Sequence, residues 1–415
     1  MSDGIAVGTY RRTMPLPPPS EFARHWDLDP NVVFLNHGSF GACPRVVLAL
    51  QQELRAQMES EPVRFVHRES EHRLDTAREV LARFVGCNTD DLAFVPNATT
   101  GVNTVLRSLE FAPGDELLTT DHEYNACRNV LDFVAARTGA KVVAVAVPFP
   151  LASLQQVIDA VLAGVTARTR LCLLDHITSP TGLVMPVAPI VAMLRERGID
   201  TLVDGAHAPG MVPLALEDLG AAYYTGNCHK WLCTPKGSAL LFVRRDRQAK
   251  IRPLAISHGA NSMRSDRSRF RLEFDFTGTD DCTPFLCIPE ALRFLGSLLP
   301  GGIAGLQAHN HTLALSGRTI VGAAIGTTAP APAEMIGSLA SMLLPASDAL
   351  PTSPLGLDPL QVRLFDRHHI EVPVMRWTSP RLRLLRISPQ IYNSEAQYRW
   401  LADAVAKELA DERMH

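Results

Sequence analysis

The chain has 415 residues, 20% of them charged and 46% apolar, with a net charge of −3. This composition excludes intrinsic disorder and gives no electrostatic reason to expect a nucleic-acid or membrane-surface partner. No apolar run approaches the ~18 residues of a membrane span, and the length suits a large domain joined to a smaller one.

The N-terminal stretch MSDGIAVGTYRRTMPLPPPSEF has no apolar segment ahead of its prolines, so no secretory signal is read. This 22-residue tail is expected to be flexible, and residues 1–36 are expected to form an N-terminal arm. Cysteines at 43, 87, 127, 172, 228, 233, 282 and 287 then read as reduced thiols of a cytoplasmic protein. Cys228/Cys233 and Cys282/Cys287 share a C-x4-C spacing, but the pairs are too scattered for a structural zinc site and read as small apolar filler. No metal is expected.

Residues 44–85 carry the spacing of long helices, in PRVVLALQQELRAQM and TAREVLARFVG. Seven short apolar runs follow: LAFV (92–95), ELLTT (116–120), KVVAVAV (141–147), LCLLD (171–175), TLVD (201–204), AAYYTG (221–226) and ALLFV (239–243). Helical segments such as 154–165 and 187–198 separate them. Strands alternating with helices predict a mainly parallel seven-stranded sheet flanked by helices. The last run follows its predecessor through a TPKG turn, so it is expected to be antiparallel. Beyond residue 290 the pattern changes to that of a smaller α+β domain, giving a division at 37–290 and 291–415.

In such sheets ligands sit outside the carboxyl ends of the strands, and the loops there are rich in chemistry. The first gives PNATTGVN, where Asn97, Thr99 and Thr100 open a helix; they read either as plain caps or as a phosphate site. The second gives DHEYNACRN, the fourth DHITSPTG, the fifth DGAHAPG and the sixth TGNCHKW. His122, His176, His207 and His229 thus gather at strand ends, which points to a shared site. Lys230 is a candidate amine nucleophile for a carbonyl, and Asp204 a candidate partner for a protonated ring nitrogen. A phosphate anchor, a carboxylate and a lysine on one rim are what pyridoxal 5'-phosphate requires.

These fragments, with FLNHGSFGACP, EPVRF and RISPQIYN in this order, resemble fold type I pyridoxal-phosphate enzymes of the class V aminotransferase family, isopenicillin N epimerase-like members in particular. The resemblance implies that Lys230 carries the cofactor covalently, that Asp204 pairs with its pyridinium nitrogen and that His207 touches its ring hydroxyl. It implies phosphate contacts from Thr99, Thr100, Asn227 and His229, with Gly278 and Thr279 reaching across from a second subunit of a homodimer. Tyr124 would cover the ring, with His122 its competitor. Arg386 would hold the carboxylate of an amino-acid substrate, with Asn36, His37 and His176 nearby. Arg64 and Phe65 read as an exposed helix arginine and a buried phenylalanine.

The family's cysteine desulfurases carry a nucleophilic cysteine shortly before that arginine. Here DRHHIEVPVMRWTSPRLRLLR has none, so persulfide chemistry is not expected. The resemblance favours epimerisation at Cα, in a secondary-metabolic setting. β-Elimination from an S-substituted cysteine, transamination and decarboxylation remain alternatives, and a non-catalytic binding protein on the same fold is the reading from another class.

Overall fold

The computed structural model describes residues 15–349, 356–377 and 379–414. Residues 1–14 of the expected arm lie outside this set. The later part of that segment is built into the fold. Ser20 caps a short helix at Glu21–His25, Trp26 is buried, and β1 (Val33–Phe34) is a strand.

The seven predicted runs become β2 (Leu92–Val95), β3 (Glu116–Thr120), β4 (Lys141–Val145), β5 (Thr169–Asp175), β6 (Asp200–Asp204), β7 (Tyr223–Asn227) and β8 (Ala239–Val243). They form one sheet in the order β2-β8-β7-β6-β5-β3-β4. The pairings β4–β3–β5–β6–β7 are all parallel. β8 runs antiparallel to both β7 and β2, as its short turn predicts. Apolar clusters cover both faces: Val203, Tyr224 and Leu240 belong to one, and Leu202, Tyr223 and Leu241 to the other. The strands therefore read as continuous apolar runs rather than as alternation.

Before the sheet lie helices at Arg45–Ser60 and Ser70–Val85, with a π-helical segment at Arg64–Glu69. Within it Phe65 is buried, while Arg64 stays open and pairs with Glu69 at 3.2 Å. The later part of the chain adds β9 (Ala340–Leu344), β10 (Ile370–Glu371), β11 (Val374–Trp377) and β12 (Ser379–Ile387). An antiparallel sheet β11-β12-β9 shares a core with the helices Gly302–Ile325 and Glu395–Met414 through Leu313, Val321, Tyr398 and Leu401. β1 pairs in parallel with β10. β1 thus lies on the small-sheet side before the chain crosses to the large one, and this placement brings residues 36–41 to the rim where β7 ends.

Candidate active site

The segment after β7 holds Lys230 in place by its backbone. His37 fixes the Lys230 carbonyl with Nε2 at 2.9 Å, and its Nδ1 lies 2.8 Å from the hydroxyl of Tyr392. Gly41 passes so close that a Cβ there would stand 2.1 Å from the His229 carbonyl oxygen, and its φ is +72°. A side chain is excluded on both counts. The Lys230 side chain is half-buried and meets Nε2 of His207 at 3.2 Å. Burial, then the nearby Arg386 charge, bring its amine down to about 7, against the opposing pull of Asp204.

His207 follows β6 and is 2% exposed. The indole N–H of Trp231 donates to its Nδ1 at 3.4 Å. Burial, then Lys230, hold this imidazole neutral. Asp204, at the end of β6, is also 2% exposed. Its Oδ1 accepts the Ala206 N–H at 2.9 Å and its Oδ2 the Cys127 thiol at 3.1 Å.

The helix Ala98–Ser108 begins beside β7 because Gly101 lets it approach; a Cβ there would lie 2.2 Å from Thr225 Oγ1. Asn97 caps it through Oδ1, accepting from Thr100 N at 2.8 Å and from its hydroxyl at 3.0 Å. Asn227 takes the Ala98 N–H at 2.8 Å. Among the described residues the N–H and hydroxyl of Thr99 have no partner, which leaves the positive helix end open to an anion. His229 stands beside it with Nδ1 2.9 Å from the Ser238 carbonyl. Its other nitrogen is free of protein contacts among the described residues, and burial takes its pKa down to about 4.

Arg386 enters from β12 and is 2% exposed. Its Nη1 donates to the Ser179 carbonyl at 2.6 Å and hydroxyl at 3.2 Å. Nη2 donates to Asn36 Oδ1 at 3.3 Å and Ser39 Oγ at 3.1 Å. All these acceptors are neutral, and Nε is buried without a partner among the described residues. A buried guanidinium lacking a carboxylate is costly unless a ligand supplies one. Burial lowers its pKa to about 10.

Two predicted residues stand apart from this constellation. His176 hydrogen-bonds through Nδ1 to the Tyr224 hydroxyl at 2.8 Å. Register pairs Val203 with Tyr224 and Asp204 with Thr225, so Tyr224, and with it His176, lies across the sheet from the Asp204 carboxylate. His122 is fully buried, with Nδ1 2.9 Å from Thr181 Oγ1 and Nε2 3.1 Å from the Val147 carbonyl. Trp377 packs edge-on to its ring at 4.6 Å. Its neighbour Tyr124 is instead 44% exposed, at the start of the helix Asn125–Thr138, where both Asp204 and Arg386 act on its hydroxyl. His37, expected at a substrate mouth, is buried and serves the Lys230 backbone. Gly278 and Thr279 are exposed, with nothing among the described residues within 4 Å of where a Cβ on Gly278 would stand.

Sequence reading passed over Trp231, Cys127, Ser39, Ser179 and Tyr392. All five lie within the quoted fragments, yet none bears a charge that would single it out.

The family profile described as Aminotransferase class-V matches residues 32–398. Isopenicillin N epimerase of Amycolatopsis lactamdurans is 35% identical over 398 residues, covering 92% of this chain and 96% of its own. A probable chloroplastic L-cysteine desulfhydrase of Arabidopsis thaliana is 30% identical over 409 residues, covering 93% and 84%. Among solved structures, a C-DES mutant with glycine covalently linked to the PLP cofactor superposes with a TM-score of 0.78 at 21% identity, covering 92% and 98%.

Set beside these relatives, the fold and the site define a pyridoxal 5'-phosphate-dependent enzyme of fold type I. The donor set fits that cofactor: an amine poised near neutrality, a buried carboxylate and a helix N-terminus whose Thr99 N–H and hydroxyl are unpartnered among the described residues gather at the carboxyl end of the sheet. The chain belongs to the aminotransferase class-V family.

Proposed function

We propose that the protein is an amino-acid epimerase acting at Cα. The observation that carries the reading is the pairing of Arg386, a buried cation with only neutral partners, with Lys230, an amine brought to about 7 in the same cleft. One group holds a carboxylate; the other moves the proton on the carbon beside it. Support also comes from the 35% identity to an isopenicillin N epimerase.

In this reading Lys230 would anchor the cofactor, with Asp204 towards its ring nitrogen and His207 towards its ring hydroxyl. Thr99, Thr100, Asn227 and His229 would hold its phosphate. Bound there, it would supply the electron withdrawal that makes the bonds at Cα acidic. Arg386, steadied by Asn36 and Ser179, orients the substrate carboxylate. Lys230 Nζ takes the Cα proton. Epimerisation needs a second donor on the other side, and the half-exposed hydroxyl of Tyr124 is our assignment, since His176 lies across the sheet. A homodimer accounts for the exposed Gly278–Thr279 segment, which would complete the phosphate site of the neighbouring subunit; sedimentation showing an active monomer would remove that part of the reading.

A second reading, a C–S lyase acting on an S-substituted cysteine, is favoured by the L-cysteine desulfhydrase relative. Incubation with L-amino acids and S-substituted cysteines in deuterated water separates the two. We expect deuterium at Cα with loss of chirality. Pyruvate plus a thiol would establish the lyase instead, and a keto acid with aminated cofactor a transaminase.

A further inference from the structure

Asp175 and Asp204 are register partners at the ends of adjacent parallel strands, so their side chains leave the sheet on one face. The loop after β3 brings Glu123 to that face, and the helix Asn125–Thr138 brings Cys127. A carboxylate oxygen of Glu123, the Cys127 sulfur and a carboxylate oxygen of Asp204 all lie within 4.8 Å of one another. Asp175 is 4% exposed and its Oδ2 has no hydrogen-bond partner among the described residues. Carboxylates this close, out of bulk water, cannot all be ionised together.

The hydrogen bonds decide which one keeps the charge. Asp204 Oδ1 faces the Ala206 N–H, a group that can only donate, and Oδ2 faces the Cys127 thiol. Both favour the anion, against the upward push that burial gives this carboxyl. The Cys127 thiol is itself pushed up by burial and by Asp204, so it stays protonated and donating. Glu123 Oε2 instead meets the Thr119 hydroxyl at 2.8 Å, which can turn to accept a proton from a neutral acid. Its Oε1 accepts the Tyr124 N–H at 3.2 Å, which a neutral carboxyl also allows. The cation facing Glu123, Arg128, is paired with Asp132 at 3.1 Å. The other groups facing it are Asp175, Asp204, Cys127 and Cys172, all anionic when ionised.

We propose that Glu123 is a positioning residue that holds a proton at neutral pH, so that the charge of this cluster rests on Asp204, where the cofactor's ring nitrogen needs it. Burial, then Asp204, push the Glu123 carboxyl up to about 8, in line with this arrangement. The inference concerns the cofactor seat and holds whichever reaction follows at Cα.

The test is Glu123→Gln, which keeps the shape of a neutral acid and removes its titration. A group raised in the folded state stabilises fully below its unfolded pKa and loses that contribution as pH rises through the folded one. The melting temperature of the wild-type apoenzyme therefore falls relative to the variant between about pH 4.5 and 8. At pH 7 the variant binds pyridoxal 5'-phosphate within about threefold of wild type, the scale of a near-neutral substitution. Binding weakened by roughly tenfold or more, about 1.4 kcal/mol, would show that an ionised Glu123 is required and overturn the proposal; so would parallel pH–stability curves. Should the variant fail to fold, infrared spectra of the wild-type apoenzyme decide. A protonated-carboxyl band at pH 7 that weakens as pH passes about 8 is expected, and its absence at pH 7 refutes the assignment.

Discussion

Lys230 Nζ and His207 Nε2 stand 3.2 Å apart, and Trp231 decides which of them supplies the hydrogen. Its indole N–H occupies Nδ1 of His207, so the neutral imidazole carries its own hydrogen on Nε2 and points it at the lysine nitrogen. The amine receives that hydrogen only when it is itself unprotonated. The pair therefore favours a neutral lysine, in the direction that burial already takes it.

The rate at which the apoenzyme reacts with added pyridoxal 5'-phosphate should accordingly rise with pH and level off above about 7, because only the free amine attacks an aldehyde. Stopped-flow absorbance of the forming cofactor band reads this directly. A midpoint near that of an exposed lysine would contradict the geometry. Lys230→Ala should lower turnover by roughly 10²–10⁴-fold or more with an unchanged far-ultraviolet circular dichroism spectrum.

Arg386→Ala should weaken amino-acid binding by about 2–5 kcal/mol, the scale for losing one partner of a desolvated charge pair. Cofactor affinity should hardly move, since none of the phosphate-side contacts involves this arginine. Arg386→Lys should recover little, because a point charge cannot reproduce the fork that bonds Ser179 and Asn36 at once. Comparing KM with the cofactor dissociation constant separates the two effects.

Gly41→Ala should shift the Lys230 segment, because the new Cβ meets the His229 carbonyl oxygen and then Lys230 Cα at 2.9 Å. We expect a loss of at least about 1–3 kcal/mol in stability from the left-handed backbone alone, read by denaturant unfolding. Cofactor affinity should fall as well. An alanine variant with wild-type stability would mean that the loop sits elsewhere.

The apoenzyme should also be acid-labile. Burial lowers His37 to about 3, and His176 and His229 to about 4, against 6.5 for the unfolded chain. With folded pKa values depressed, the unfolded chain binds protons first, so stability is lost as pH falls from about 6.5 towards 4. Melting temperatures measured across that interval test it; a flat profile would be inconsistent with buried neutral imidazoles.

All seven strands of the large sheet were legible, because a strand covered on both faces writes itself as an apolar run that a polar loop ends. The antiparallel turn of β8 was legible from the shortness of TPKG. The side of the sheet to which a loop residue turns was not. His176 and Asp204 both sit at strand ends in quoted loops, yet the two-residue alternation sends Tyr224, with His176 on its hydroxyl, across the sheet from the carboxylate. His37 misled for a related reason: an adjacent Asn-His pair suggested two polar groups at a mouth, whereas only Asn36 reaches Arg386. Glu123 was in plain view inside DHEYN, but its meaning depends on Asp204, 81 positions later in the chain, and no local spacing records that meeting.

Arg386 is fastened on two sides. It grows from the small sheet, yet its guanidinium grips Ser179 from the loop beyond β5 and Asn36 and Ser39 from the segment that returns to Lys230. Under the proposed function, the bonds that hold the substrate's anchor are also among those that join the two sheets at their seam. Loosening that seam, by heat, denaturant or a substitution far from the cleft, should blunt recognition of the amino acid before either sheet begins to unravel.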